Sequence, residues 1–219
     1  MSARQRILAR IAAGLGHGAE AGANGAVDGY IERHPRGPVP RRAPDLVPRF
    51  REQAERLSST VLEVPAPGPV PAAVAAYLAA HGLGTEAVCW PDLAGLPWAA
   101  SGVRAAARPA RAGDMVGITG AFCAIAETGT LMLLSGEDTP ATVSLLPETH
   151  VAVLPAARIV PAMEDAWDLL RAERGVPPRA VNLVSGPSRT ADIEQTVTLG
   201  AHGPYRMLIV LTGEDFDDV

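Results

Sequence analysis

The sequence predicts an α/β fold in which an open sheet carries helices on both sides. Along most of the 219 residues, short apolar runs that end at Gly or Pro alternate with segments whose apolar side chains have helical spacing. Such alternation is typical of strands and helices that succeed one another around a shared sheet. With 47% hydrophobic and 20% charged residues, the chain can bury one good core.

Each predicted element follows from its own local pattern. Apolar side chains at intervals of three and four residues predict helices over residues 2–15, 45–61, 71–82, 161–174 and, more briefly, 190–197. Short apolar runs bounded by turns predict strands over residues 87–90, 103–107, 115–119, 129–134, 142–146, 151–154, 181–184 and 207–211. The glycines and prolines of residues 16–44 predict weak structure there.

These elements divide the chain into three parts. Residues 1–62 form a predicted N-terminal helical extension with a Gly/Pro-rich linker, and residues 63–213 form the α/β domain. Residues 214–219 are an acidic tail that we expect to fray.

Composition excludes several classes of function. The formal net charge of −5 argues against nucleic acid as a partner, because proteins that bind it usually present a basic face. No apolar run reaches the roughly 18 residues that span a bilayer, and the N-terminus lacks the apolar core of a signal peptide, so the sequence predicts a cytoplasmic protein. All 19 basic residues are arginine, which removes lysine Schiff-base chemistry and the P-loop lysine.

Neither a metal site nor an iron–sulfur cluster is predicted in this chain. Its two cysteines, Cys89 and Cys123, are far apart in sequence, and an ordinary iron–sulfur cluster needs more thiolates than they provide. The five histidines show no H-x-x-x-H spacing. We therefore expect no cofactor in this chain itself.

A turn after the predicted strand at 181–184 is the first candidate ligand site. It contains Gly186, Pro187, Ser188, Arg189 and Thr190, and a short helix is predicted to follow. Ser188 or Thr190 can cap that helix, and free N–H groups at a helix start suit an anion, to which an arginine adds a fork of donors. The turn is also expected beyond the carboxyl end of a strand, where α/β sheets bind ligands. The alternative is a well-capped helix start with a surface arginine.

Two further turns carry candidate catalytic and binding residues. Glu127 opens a turn that continues with Thr128, Gly129 and Thr130, and it can serve as base, nucleophile or partner to Arg189. His202 lies in a turn with Gly203 and is suited to proton transfer. A loop glutamate bonded to backbone N–H groups and a hydrogen-bonding histidine corner are the structural alternatives. We predict that these two turns and the turn at 186–190 share an anion pocket.

The same segments form a set of motifs that resembles a known family. In chain order they are Gly117-Ile118-Thr119, Ile125-Ala126-Glu127-Thr128-Gly129-Thr130, Leu146-Pro147-Glu148-Thr149-His150-Val151, Gly186-Pro187-Ser188-Arg189-Thr190-Ala191-Asp192-Ile193-Glu194 and Gly200-Ala201-His202-Gly203-Pro204. This set resembles the LUD-domain family, and within it the lactate-utilisation protein C branch. The resemblance implies a fold similar to the sugar-phosphate isomerase and CoA-transferase superfamily. It also implies a role in oxidising L-lactate to pyruvate beside companion proteins that carry iron–sulfur clusters.

Departures from related enzymes limit what the resemblance implies about activity. Isomerase-type relatives rely on a lysine, which this chain lacks. CoA-transferases use a glutamate in an E-x-G turn, which Glu127-Thr128-Gly129 resembles, but the flanking residues differ from the usual pattern. The resemblance therefore favours a non-redox subunit or accessory protein of an L-lactate oxidation system that binds a small anion. The alternatives are an acyl- or CoA-transferase that uses Glu127 and a metabolite-binding module.

Overall fold

The N-terminal part of the chain forms a small helical unit. The computed structural model describes residues 2–14, 24–38, 43–190 and 198–214, and the chain divides into two compact units, residues 1–39 and 40–219. The first unit contains helix α1 (Ala3–Gly14) and helix α2 (Asn24–Glu32). The weak structure predicted for residues 16–44 is wrong for α2, because Val27, Tyr30 and Ile31 supply a helical apolar stripe among the glycines.

The second unit has the alternating elements of an α/β domain. They are, in chain order, α3 (Leu46–Arg56), β1 (Thr60–Val64), α4 (Val70–Ala80), β2 (Glu86–Cys89), β3 (Arg104–Ala107), β4 (Val116–Gly120), β5 (Cys123–Ile125), β6 (Thr130–Leu134), α5 (Thr142–Leu145), β7 (Thr149–Pro155), β8 (Ile159–Val160), α6 (Met163–Arg174), β9 (Val181–Val184), β10 (Arg189–Thr190), β11 (Thr198–Leu199) and β12 (Arg206–Thr212).

Six strands form a parallel main sheet in the order β1-β12-β7-β4-β2-β3. A second sheet has the order β8-β5-β6-β9, in which the β5–β6 hairpin is antiparallel and β9 runs antiparallel to β6. Strands β10 and β11 form a short separate hairpin. Among the described helices, none is long and apolar enough to cross a membrane.

Both faces of the main sheet are buried. Helix α4 covers one face, where Val74 and Leu78 join a core cluster with Ile118, Val151 and Leu208 of the sheet. On the other face, α3, α5 and the second sheet form a cluster with the alternate residues of the same strands. Helix α6 packs on the far side of the second sheet. The predicted α/β class, a sheet with helices on both sides, is therefore confirmed, whereas the second sheet was not predicted from the sequence.

Three predicted elements differ from the structure. Residues 142–145 form helix α5 instead of a strand, because a four-residue apolar run does not distinguish the two. The helix predicted to reach residue 61 ends at Arg56; Ser58 has a φ of 69°, in the left-handed region, and β1 follows. Arg189 and Thr190 pair with β11 in a hairpin, so they do not begin a helix. Residues 191–197, where the rest of that helix was predicted, lie outside the described residues.

The boundary between the two units lies earlier than residue 62. Helix α3 belongs to the second unit, because Phe50 and Ala54 are fully buried in its core. The acidic tail beyond Glu214 lies outside the described residues. The likeness to the isomerase and CoA-transferase superfamily stays a prediction.

Candidate functional site

The three turns that the sequence singled out lie against one another. The hydroxyl of Thr130 is 2.7 Å from that of Ser185, and the Thr128 hydroxyl is 2.7 Å from that of Thr130. The backbone N–H of Ser188 donates to the carbonyl oxygen of Pro204 at 2.9 Å. We call residues 127–130, 185–189 and 203–204 the turn cluster.

Helix α3 supports the turn cluster through two glycines. Gly129 has a φ of +67°, and a Cβ there would lie 2.4 Å from the backbone nitrogen of Ala54. Gly186 has a φ of +79°, and its Cβ would lie 2.3 Å from the carbonyl oxygen of Leu57. Only glycine combines this backbone conformation with such a close approach. Both turns are therefore held at the C-terminal half of α3.

The Arg189 side chain also contacts the end of α3. Its Nη2 donates to the Leu57 carbonyl at 3.0 Å and to the Ser58 hydroxyl at 2.5 Å. Carbonyl groups at a helix C-terminus lack intrahelical partners, and a cation there is favourable for the helix dipole. This contact gives Arg189 a structural partner at the end of α3.

The turn at 186–190 lies beyond the carboxyl end of a strand, as the sequence predicted, but that strand is not part of the main sheet. It follows β9, which belongs to the second sheet. Its contact with Pro204 places it beside the segment that leads into β12. The turn cluster therefore lies toward the amino end of β12.

Glu127 lies at the tip of the β5–β6 hairpin and is half-buried. Its backbone N–H donates to the carbonyl oxygen of Pro161 at 3.0 Å. The other end of the hairpin, at Phe122 and Leu134, lines a cavity described below. Because Glu127 is a hairpin's length away, it does not line that cavity.

His202 lines a cavity of about 830 Å³ near the amino ends of β7 and β12, which we call the amino-end cavity. Gly203 connects this cavity to the turn cluster, because a Cβ at Gly203 would lie 3.2 Å from Cβ of Ser188. The walls are contributed by Leu145, Leu146, Glu148, Leu199, Gly200, Ala201, His202, Gly203, Tyr205 and Arg206.

Arg206 is a charged residue of this cavity that was not predicted as a site residue from the sequence. It begins β12, and its guanidinium lies over the Tyr205 ring, 4.8 Å from the ring centroid. Of the residues that the structure describes, the cavity thus contains a permanent cation in Arg206, a histidine in His202, and one carboxylate in Glu148. The sequence signal was an arginine three residues after the Gly-rich turn at 200–203, at the start of an apolar strand.

A second cavity, of about 620 Å³, lies at the carboxyl ends of β2, β4 and β7, and we call it the carboxyl-end cavity. Asp92, Glu137, Asp138 and Arg174 are its charged residues. Gly120 ends β4 beneath Asp92, since a Cβ at Gly120 would lie 3.6 Å from Asp92 Oδ2. Although Asp92 is accessible at the cavity mouth, partial desolvation raises the pKa of its carboxyl, and the nearby Asp138 charge acts in the same direction.

His150 is fully buried in β7, where its Nε2 lies 2.8 Å from the Thr119 hydroxyl. Its Nδ1 has no hydrogen-bond partner among the described residues. Burial lowers the pKa of His150 to about 4, because the charged imidazolium would be desolvated there. The imidazole is therefore neutral at ordinary pH. Over the described parts of the chain, no three His, Cys, Asp or Glu side chains are grouped as a metal site requires.

Comparison with known proteins gives the family context of this fold. A model of the LUD domain matches residues 92–212. Lactate utilization protein C from Bacillus subtilis (strain 168) is 41% identical over 102 residues, which are 45% of this chain and 42% of that protein. An uncharacterized protein from Neisseria meningitidis serogroup B is 42% identical over 94 residues, which are 43% of this chain and 40% of that protein. The chain thus spans less than half the length of these curated relatives.

A solved structure agrees with the sequence comparisons. The crystal structure of a DUF162 family protein from Deinococcus radiodurans matches with a TM-score of 0.57 and 25% identity, covering 77% of this chain and 96% of that one. The match to the LUD-domain model covers more than half of the chain and includes the turn cluster, all the lining residues of the amino-end cavity and the whole main sheet except β1 and β2. This chain belongs to the LUD-domain family.

Proposed function

We propose that this chain is a non-redox component of an L-lactate utilisation system and that it binds a small carboxylate in the amino-end cavity. Relatives with 40–41% identity are named lactate utilization protein C. The observation that carries the site is that Arg206 and His202 line one cavity. An arginine is the side chain best suited to bind a carboxylate with paired hydrogen bonds.

Charge favours this cavity over the carboxyl-end cavity for an anionic ligand. Among the described residues, Arg206 and His202 line the amino-end cavity together with one carboxylate, that of Glu148. The carboxyl-end cavity has three carboxylates and one arginine, so it would repel a carboxylate substrate. The apolar walls also fit, because Leu145, Leu146 and Leu199 offer contacts to the methyl group of a small hydroxy acid.

Only some of the residues predicted from the sequence to form the anion pocket belong to the site that we propose. His202 and Gly203 line the amino-end cavity, whereas Arg189 donates to the end of α3. Ser188 adjoins the cavity through its contact with Gly203. We propose that the turn cluster positions the His202 turn and that Arg206 takes the role first expected of Arg189.

The two cysteines support a non-redox role. Cys89 lies in the main sheet and Cys123 in the second sheet, and both are buried. Burial raises the pKa of each thiol to about 11, which disfavours the thiolate that a cluster iron binds. We propose that iron–sulfur chemistry belongs to companion proteins with which this chain works.

The role in lactate utilisation is tested by growth of the source organism without the gene. We expect growth on L-lactate as sole carbon source to be lost and growth on glucose to be unchanged. Reintroducing the wild-type gene should restore growth, whereas Arg206→Ala should restore little of it at equal protein level. Normal growth of the deletion strain on L-lactate contradicts the role and favours a metabolite-binding module with another purpose.

The proposed site is tested by thermal denaturation with L-lactate, pyruvate and phosphate as separate probes. A ligand that binds only the folded state raises Tm by mass action. We expect L-lactate or pyruvate to raise Tm of the wild type and of Asp92→Asn, but not of Arg206→Ala. If Asp92→Asn alone loses the response, the ligand occupies the carboxyl-end cavity and the proposed site is wrong.

The rival function, an acyl- or CoA-transferase, requires Glu127 as nucleophile. Its half-buried position at a hairpin tip, outside both cavities, does not favour this role. Incubation with acyl-CoA followed by hydroxylamine should leave Glu127 unmodified in mass spectra, because no acyl intermediate forms. A Glu127 hydroxamate would instead establish the transferase.

A further inference from the structure

The N-terminal unit presents two apolar helix faces to solvent. On α1 the face consists of Ile7, Leu8 and Ile11, and on α2 it consists of Val27, Tyr30 and Ile31; each of these six side chains is between 52% and 60% exposed. We call the two sets the α1 face and the α2 face. Spacings of three and four residues place each set on one side of its helix. Two such faces in one small unit form more exposed apolar surface than scattered single residues would.

Because these helices are short, the exposure of their apolar faces indicates that another surface covers them. Helix α1 has 12 residues and buries none of them, and α2 has 9 residues. Isolated helices shorter than about 12–15 residues are marginal in water, and helices in proteins are stabilised mainly by packing of an apolar face. The α1 and α2 faces therefore need a covering surface for the helices to persist.

The charges beside the two faces are complementary. Helix α1 has Arg4, Arg6 and Arg10 and no acidic residue, whereas α2 has Asp28 and Glu32 one turn apart. Arg6 and Arg10 are likewise one turn apart. Opposite charges that flank an apolar seam favour pairing of two helices and set which helices pair.

We propose that two copies of this chain associate through their N-terminal units, with the α1 face of one copy packed on the α2 face of the other. The contact then contains two equivalent helix pairs, since α1 of each copy covers the α2 face of the other. Such an arrangement is closed and two-fold symmetric. A membrane surface is a poorer occupant, because Asp28 and Glu32 would face anionic lipid and α1 has no aromatic residue.

The oligomeric state of the chain of 219 residues tests this contact. Light scattering after size-exclusion chromatography should give the mass of a dimer for the wild type. Ile11→Asp should weaken dimerisation at least tenfold, because it places a charge in the apolar seam. Val176→Asp is the matched control: Val176 is 79% exposed on the α/β unit, so that variant should remain a dimer. A monomeric wild type, or an Ile11→Asp variant that remains a dimer, overturns the proposal.

Charge reversal tests which helices pair. Arg6→Glu with Arg10→Glu should weaken the dimer, and adding Asp28→Arg with Glu32→Arg in the same chain should restore it. Unchanged dimerisation of the first variant, or no recovery in the combined variant, overturns α1–α2 pairing. Far-UV circular dichroism and the unfolding of the α/β unit verify that each variant remains folded. Binding of monomeric wild type to anionic phosphatidylserine vesicles would identify the membrane as the occupant and also overturn the proposal.

Discussion

At the scale of single residues, the interior of this chain contains one titratable group with a large consequence for stability. His150 is fully buried, its pKa is lowered to about 4 by desolvation, and a histidine in an unfolded chain titrates near pH 6.5. Between these values the unfolded state binds a proton that the folded state does not. The free energy of unfolding must therefore fall as pH falls through this window.

We predict that His150 costs the fold about 3 kcal/mol of stability between about pH 7 and pH 4. Urea denaturation at several pH values should show this loss in the wild type. The His150→Gln variant should lose less stability over the same range, while His202→Gln, which changes an exposed histidine, should follow the wild type. Identical pH dependence in the wild type and His150→Gln would show that His150 is not buried in its neutral form.

Arg189 provides a second prediction at this scale. Its hydrogen bonds to Leu57 and Ser58 tie the turn cluster to the end of α3. Arg189→Ala should lower the free energy of unfolding by about 1 kcal/mol, the net contribution of such contacts. The exposed Arg179→Ala is the control, with little effect expected. The rise in Tm with L-lactate should survive in Arg189→Ala; its loss in a folded protein would return the anion site to Arg189.

At the scale of elements, the close packing of hairpin β5–β6 on α3 determines where the turn cluster lies. Gly129 combines a φ of +67° with a would-be Cβ contact of 2.4 Å to the α3 backbone. Gly82 has nearly the same φ, +64°, but open space around it. Alanine at Gly82 would therefore introduce backbone strain alone, whereas alanine at Gly129 would introduce the same strain and a steric overlap with α3.

We predict that Gly82→Ala costs about 1 kcal/mol, which is the strain of the left-handed conformation alone. Gly129→Ala should cost over about 3 kcal/mol, because helix and hairpin must also move apart. Chemical denaturation of both variants measures the difference. Equal losses would mean that the turn does not contact α3 as closely as the structure shows.

Local sequence patterns predicted most elements but not how they associate. The buried strands of the main sheet are apolar runs, so period and length identify them, as for β4, β7 and β12. Thr142–Leu145 was mistaken for a strand because four residues show no period. The contacts of Gly129 and Gly186 with α3 join residues far apart in sequence, and no local pattern contains that information.

At the scale of the whole molecule, two cavities at opposite ends of the main sheet differ in charge. His202 and Gly203 of the amino-end cavity were predicted as site residues from the sequence, but Arg206 was not, because an arginine at the start of an apolar strand looks like an ordinary solvent-facing end. The carboxyl-end cavity was not predicted either, because its residues 135–139 have only the pattern of a loop. Each cavity is lined by loops that are far apart in sequence, and the fold alone determines that these loops lie together.

The non-redox role makes a prediction at the same scale. Anaerobic reconstitution of the purified chain with iron and sulfide should give no stable cluster absorption, because the two buried thiols lie in different sheets with pKa values raised to about 11. A cluster-binding ferredoxin treated in parallel provides the positive control. Stoichiometric iron and sulfide retained by this chain would contradict a purely non-redox role.

The most direct test of the central claim is a crystal structure of this chain with L-lactate bound. We expect the ligand in the amino-end cavity, with its carboxylate within hydrogen-bond distance of the Arg206 guanidinium and its methyl group against Leu145, Leu146 or Leu199. An Arg206→Ala crystal treated identically should show no bound lactate. Lactate in the carboxyl-end cavity or beside Glu127, or its presence in the Arg206→Ala crystal, would contradict the claim that Arg206 forms the carboxylate site.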